Sequence, residues 1–112
     1  MAEPKEVVIK KQPKVQSEKG VEAYLVEKMR KLGGEAAKWV CPSRRGKPDR
    51  ICLFPKGPVV FVELKTEGKQ PSKEQAYEFQ KMEDMGHPVF VVDTKKGVDA
   101  LIKMYHEACN HE

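Results

Sequence analysis

Apolar residues recur along the first third of the chain with the period of a helix. The spacings between them are four, four and three residues, at Val21, Leu25, Met29 and Leu32. Ser17 precedes this run as a favourable N-cap, and Gly33 with Gly34 follows it. The pattern therefore predicts a helix over 18–32.

Short runs of β-branched and aromatic residues, bounded by Gly, Pro and charged positions, predict strands after this helix. The predicted strands cover 36–40, 49–54, 59–65 and 89–92. Helical spacing predicts two further helices, over 73–85 and 98–108. The resulting order, α-β-β-β-α-β-α, indicates an α/β fold with a central sheet flanked by helices.

The start of the chain differs from the rest. Val7, Val8 and Ile9 form an apolar run that Pro4 and Pro13 enclose. We expect residues 1–16 to form an N-terminal arm or edge strand, and residues 17–112 to form one domain. The run at Val7 and the last helix are both candidates for a dimer surface, and core packing is the alternative for the helix.

Length and composition restrict the class of protein. The chain has 112 residues, and no apolar stretch approaches the 18 residues that a membrane span needs. The N-terminus lacks the apolar core of a signal peptide, and the three cysteines form no CxxC pair. We expect an intracellular, cytoplasmic protein. No glycine-rich phosphate loop is present, so no nucleotide cofactor is expected.

Basic residues are concentrated in one part of the chain. The formal net charge is +4, but residues 38–56 alone carry +5, which leaves −1 for the remainder. The single acid in this window is Asp49, and its six cations are Lys38, Arg44, Arg45, Lys47, Arg50 and Lys56. Such a cluster suits a polyanion beside a metal-binding acid, although a solvated basic loop has the same composition.

The two central strands form a hairpin that brings acidic residues together. With its turn near residues 56 and 57, paired positions have numbers that sum to about 113, give or take one. Asp49 then lies opposite residues 63–65, where Glu63 and Lys65 share one face of the strand. The opposite face is apolar, at Val60, Val62 and Leu64.

Two carboxylates with a main-chain carbonyl between them form an oxygen-rich site suited to Mg²⁺ or Mn²⁺. Phosphodiester hydrolysis uses such a metal to polarise the phosphate and to activate water, and a nearby lysine can assist. A cross-strand salt bridge is the alternative interpretation of Asp49, Glu63 and Lys65. In the first helix, Glu18 and Glu22 lie on or beside the buried stripe, either as boundary acids or directed at a cation.

In combination, these residues resemble the VRR-NUC family within the PD-(D/E)xK nuclease superfamily. The resemblance runs from about Ser17 to Asp93, and the last helix and the arm lie outside it. It rests on the motifs Ser-Arg-Arg-Gly-Lys-Pro-Asp-Arg at 43–50 and Val-Glu-Leu-Lys at 62–65, together with Glu18 and Gln75. The chain looks like a stand-alone member of the type found in phages and bacteria.

The resemblance implies a restriction-endonuclease-like fold and a role for each motif residue. Asp49, Glu63 and the Leu64 carbonyl would bind Mg²⁺ or Mn²⁺, and Lys65 would be the catalytic lysine. Glu18 would be the helix acid of the site, with Glu22 as its rival, and Gln75 would support the site or touch phosphate. The residues expected to contact DNA phosphates are Arg44, Arg45, Lys47, Arg50, Lys69 and Lys73.

The family likeness further implies a metal-dependent DNA endonuclease. Stand-alone members are similar in size to Holliday-junction resolvases, so branched DNA cut by a homodimer is the first expectation. A flap- or nick-processing nuclease is the second, and a non-catalytic DNA-binding module is the third. Trp39 is expected in the core rather than stacked on an unpaired base.

Overall fold

The computed structural model describes residues 15–42 and 45–109, with side chains as far as residue 106 in the last helix. Of the arm expected over residues 1–16, residues 1–14, which include the apolar run at Val7, lie outside these ranges. The elements are α1 (Glu18–Lys31), β1 (Glu35–Lys38), β2 (Arg50–Leu53), β3 (Val59–Leu64), α2 (Lys73–Asp84), β4 (Val89–Val92) and α3 (Lys95–Cys109). Within the described ranges, no helix has both the length and the hydropathy to cross a bilayer.

Element order and type agree with the sequence pattern, and the differences have local causes. The side chain of Ser17 accepts a hydrogen bond from the Gly20 amide at 3.0 Å, as expected of an N-cap. The last helix begins three residues earlier than predicted, because the Thr94 side chain accepts from the Gly97 amide at 3.0 Å and so caps it. β1 ends at Lys38, before the predicted Trp39 and Val40.

The four strands form one mixed sheet in the order β1-β2-β3-β4. The first three strands are antiparallel, and β4 runs parallel to β3 after the α2 crossover. Arg50 pairs with Val62, so paired numbers sum to 112, within the predicted interval. If this register is extended by one residue, Asp49 lies opposite Glu63. A mixed sheet with flanking helices confirms the predicted fold class.

One face of the sheet carries the main core. Val21, Leu25 and Met29 of α1 are fully buried, and they pack with the strand and α3 residues of one cluster. From α3 that cluster includes Val98, Leu101 and Ile102. These three residues of the last helix are therefore buried in the core, which agrees with the core-packing alternative for this helix.

The other face carries polar residues and α2. Val62 and Leu64 are fully buried on the core side, so the intervening Glu63 points to the opposite face. α2 lies over that opposite face, where Gln75 reaches the Glu63 carboxylate. The sheet thus separates an apolar interior from a polar site.

Two valines of β3 test this assignment of faces. Val62 is fully buried and Val59 is 54% exposed. We expect Val62→Ala to lower the free energy of unfolding by about 2 kcal/mol, because it leaves a cavity. Val59→Ala, the matched control, should cost less than about 1 kcal/mol in urea denaturation. Equal losses would contradict the assignment.

Candidate active site

The polar site lies where the hairpin strands end. Asp49 directly precedes β2, and its Oδ2 accepts a hydrogen bond from the Leu64 amide at 3.0 Å. Glu63 is only 2% exposed, and its Oε2 lies 3.3 Å from the Lys65 Nζ. Both carboxylates and the lysine are therefore held against β3, as the hairpin register requires.

Gln75 holds this group together from α2. Its Nε2 donates to Glu63 Oε2 at 2.8 Å, and its Oε1 accepts from Lys65 Nζ at 2.8 Å. The same Oε1 accepts from the Ser72 amide at 3.0 Å, while the Ser72 side chain accepts from the Gln75 amide at 3.1 Å. This reciprocal pair is a capping box, which fixes both the start of α2 and the orientation of the Gln75 amide.

Only one of the two oxygens of the Glu63 carboxylate accepts a hydrogen bond within the described residues. Its Oε1 is buried and has no hydrogen-bond partner in the described part of the chain. Burial and the neighbouring Asp49 raise the pKa of Glu63 to about 7, although Lys65 and Gln75 act in the opposite direction. A buried carboxylate oxygen without a donor is costly, and a cation would relieve that cost.

The donor set fits a hard divalent cation. Glu63 Oε1 and the Asp49 carboxylate are oxygen ligands at the ends of neighbouring strands, and the Leu64 carbonyl directly follows Glu63 in sequence. Within residues 15–42 and 45–109, no group of three or more His, Cys, Asp or Glu side chains gathers as a metal cluster. Two carboxylates and water or phosphate oxygens are a usual environment for Mg²⁺, which needs few protein ligands.

The two helix acids behave differently. Glu22 binds Arg50, with its Oε2 at 3.0 Å from Nε and 2.9 Å from Nη2, and Arg50 Nη1 also donates to the Ala36 carbonyl at 2.9 Å. Arg50 lies on the α1 face of the sheet, opposite Asp49. Glu18 is exposed and has no hydrogen bond or ion pair in the described part of the chain. Neither acid is hydrogen-bonded to Asp49 or Glu63.

Of the six predicted DNA-contacting cations, three are exposed, two are paired with acids and one lies outside the described residues. Arg45, Lys69 and Lys73 are exposed, whereas Arg44 lies outside the described residues. Arg50 forms an ion pair with Glu22. Lys47 forms an ion pair with Glu78, and its Nζ lies 3.1 Å from the Glu78 Oε1.

Sequence reasoning missed two features of the site. The capping box is encoded locally by the Ser72-Lys73-Glu74-Gln75 run, so its pattern could have been recognised. The ion pair between Lys47 and Glu78 joins residues that are 31 positions apart in sequence, and no local pattern predicts it.

Comparison with known proteins identifies similar chains. A phage protein named "Putative nuclease p44", from Acyrthosiphon pisum secondary endosymbiont phage 1, is 42% identical over 78 residues, covering 70% of this chain and 84% of that protein. A solved structure described as "VRR_NUC domain" superposes with a TM-score of 0.70 at 36% identity, covering 78% of this chain and 96% of its own. No protein-family model matches the chain.

The raised pKa of Glu63 makes a pH-dependent prediction for the metal-free protein. The folded state holds the proton up to a pKa of about 7, whereas the unfolded value is 4.5. Stability from this group is present below pH 4.5 and is lost as the pH rises through 7. Between pH 4.5 and pH 8, Glu63→Gln should gain roughly 3 kcal/mol relative to wild type in denaturant melts with EDTA.

Glu83→Gln, on an exposed position of α2, is the matched control and should show no such gain. A pH-independent difference between wild type and Glu63→Gln would contradict the raised pKa.

Proposed function

The chain belongs to the VRR-NUC family of nucleases, and we propose that it is a DNA endonuclease that requires Mg²⁺ or Mn²⁺. The observation that carries the metal requirement is the buried Glu63 Oε1, which has no hydrogen-bond partner in the described residues and lies in a site shared with Asp49. A divalent cation held there would satisfy this oxygen and offset the repulsion between the two acids.

Asp49, Glu63 and the Leu64 carbonyl are the proposed metal ligands. A cation held there would supply Lewis-acid chemistry toward a phosphate group. Asp49 keeps one oxygen for this purpose, because its Oδ2 already accepts from the Leu64 amide. Of the two helix acids, we assign the supporting role to Glu18, because Arg50 engages Glu22.

Lys65 is the proposed catalytic lysine. Its ammonium lies between Gln75 Oε1 at 2.8 Å and Glu63 Oε2 at 3.3 Å, which fixes it at the edge of the carboxylate pair. From there the ammonium can orient the attacking water and neutralise charge that develops on the phosphate. Gln75 orients both Lys65 and Glu63 through the two ends of its amide.

DNA is the proposed substrate, and exposed cations beside the site would bind its phosphates. Arg45, Lys69 and Lys73 are exposed, and Arg44 adjoins Arg45 in sequence. Contacts of this kind supply affinity that falls with salt and no base recognition.

We further propose that the substrate is branched DNA and that the active enzyme is a homodimer. One chain has one such site, whereas cutting opposed strands of a four-way junction needs two sites related by a two-fold axis. We place the protein in the cytoplasm of a bacterial host, as a phage- or bacterium-encoded enzyme, because its relative is a phage protein. Flap or nick cleavage is the second candidate within the same chemistry.

A cleavage assay tests this proposal. Four end-labelled substrates, namely a four-way junction, a flap, a nicked duplex and a linear duplex, are incubated with Mg²⁺, Mn²⁺ or Ca²⁺. We expect symmetric cuts in opposed arms of the junction with Mg²⁺ or Mn²⁺, and binding without cutting with Ca²⁺. Lys65→Ala should bind the junction as wild type does and lose cleavage by at least about a hundredfold.

Each alternative result has a defined meaning. Cutting of flaps or plain duplex alone would retain the nuclease and remove the junction preference. Cleavage by Lys65→Ala at the wild-type rate would remove the catalytic assignment. Binding of all substrates by the wild type without any cleavage would favour a non-catalytic DNA-binding module.

A further inference from the structure

A second buried ion pair lies next to the active site. Lys47 Nζ is 3.1 Å from Glu78 Oε1, and the two side chains are only 15% and 11% exposed. The ammonium also lies 5.9 Å from the centre of the Trp39 ring. Lys81 approaches the other oxygen of Glu78 at 3.9 Å, but its side chain is 43% exposed. Lys47 is therefore the closer and more deeply buried cation of the two.

The loop that contains Lys47 packs directly on α2. Gly46 has φ of +84°, and a Cβ there would lie 2.9 Å from the Glu78 Cγ and 3.1 Å from the Glu74 carbonyl oxygen. Pro48 is among the fully buried residues. Residues 46–48 are thus held against the helix by close backbone approach as well as by charge.

This contact joins the two segments that carry the active site. Lys47 stands two residues before Asp49, and Glu78 stands three residues after Gln75 on the same helix. Asp49 reaches β3 through the Leu64 amide, while Gln75 reaches β3 through Glu63. We therefore expect a change in how the loop packs on α2 to alter the separation of Asp49 from Gln75 and Glu63.

We propose that Lys47 and Glu78 are a positioning pair that holds Asp49 in place for metal binding, and that Lys47 does not contact DNA. This proposal rests on the metal-dependent activity proposed above. Withdrawing Lys47 to reach a phosphate would break a 3.1 Å ion pair between two side chains that are only 15% and 11% exposed, which is costly. Arg45, which is exposed in the same loop, can meet a phosphate without that cost.

Three variants test the pair: Lys47→Met, Glu78→Gln and the charge exchange Lys47→Glu with Glu78→Lys. Each single variant should raise the Mn²⁺ concentration at the midpoint of a thermal-shift titration by about tenfold. Each should lower kcat by a similar factor and leave KM for DNA within about twofold. The charge exchange should bring the Mn²⁺ midpoint back toward wild type. Glu83→Gln is the matched control on α2 and should leave the midpoint unchanged.

DNA affinity separates positioning from phosphate contact. In Ca²⁺ at several salt concentrations, Arg45→Met should reduce the slope of log affinity against log salt by about one, as expected for one lost phosphate contact. Lys47→Met should leave that slope unchanged. A loss of slope equal to that of Arg45→Met would overturn the proposal.

A metal-free measurement keeps the test independent of the proposed function. In ¹H–¹⁵N spectra without metal, Lys47→Met should shift the Leu64 backbone amide and the Gln75 side-chain amide, which report the Asp49 and Glu63 contacts. Arg45→Met should shift neither signal. If both signals stay unmoved in Lys47→Met, the positioning role is wrong, whereas a wild type without Mn²⁺ binding or cleavage refutes the proposed function instead.

If Lys47→Met does not fold, two conservative variants test the same proposal. Lys47→Arg retains the ion pair and should keep the wild-type Mn²⁺ midpoint, while Glu78→Asp shortens the carboxylate by one methylene and should raise it. Equal midpoints for Lys47→Arg and Glu78→Asp would contradict the proposal.

Discussion

Glu63 occupies a position that an ionised carboxylate does not normally tolerate. It lies near the end of a central strand, 2% exposed, beside a second acid, with one oxygen that no donor in the described residues satisfies. The free energy of this arrangement falls when the carboxyl takes a proton or when a cation binds. The neighbouring side chains stabilise only one of the two carboxylate oxygens, because Lys65 and Gln75 both contact the Oε2 atom. The remaining oxygen is the most specific indication of a metal site.

The fold produces this arrangement from simple alternation along β3. Val62 and Leu64 face the helices α1 and α3, so Glu63 must face α2. The capping box at the start of α2 then orients the Gln75 amide toward the site. Stability and function are consequently linked, since the same strand contributes its alternate residues to the core and to the site.

Much of this arrangement could be predicted from the sequence, because it depends on local patterns. Helical spacing, strand composition and the hairpin turn were enough to place Asp49 opposite residues 63–65 and to put Glu63 and Lys65 on one face of the strand. The ion pair of Lys47 with Glu78 could not be predicted, because it depends on how a loop meets a helix 31 residues away. For the same reason, charge alone could not distinguish Arg45, which is exposed, from Arg50 and Lys47, which are paired with acids in the fold.

The central claim is that Glu63 exchanges a proton for a metal ion. Calorimetric titration with Mn²⁺ at pH 6.5, in two buffers of different ionisation enthalpy, measures the protons released on binding. Because burial raises the pKa of Glu63 to about 7, wild type should release protons when Mn²⁺ binds at this pH, and Glu63→Gln should release fewer. Equal proton release by the two proteins, or Mn²⁺ binding of equal affinity, would contradict the account.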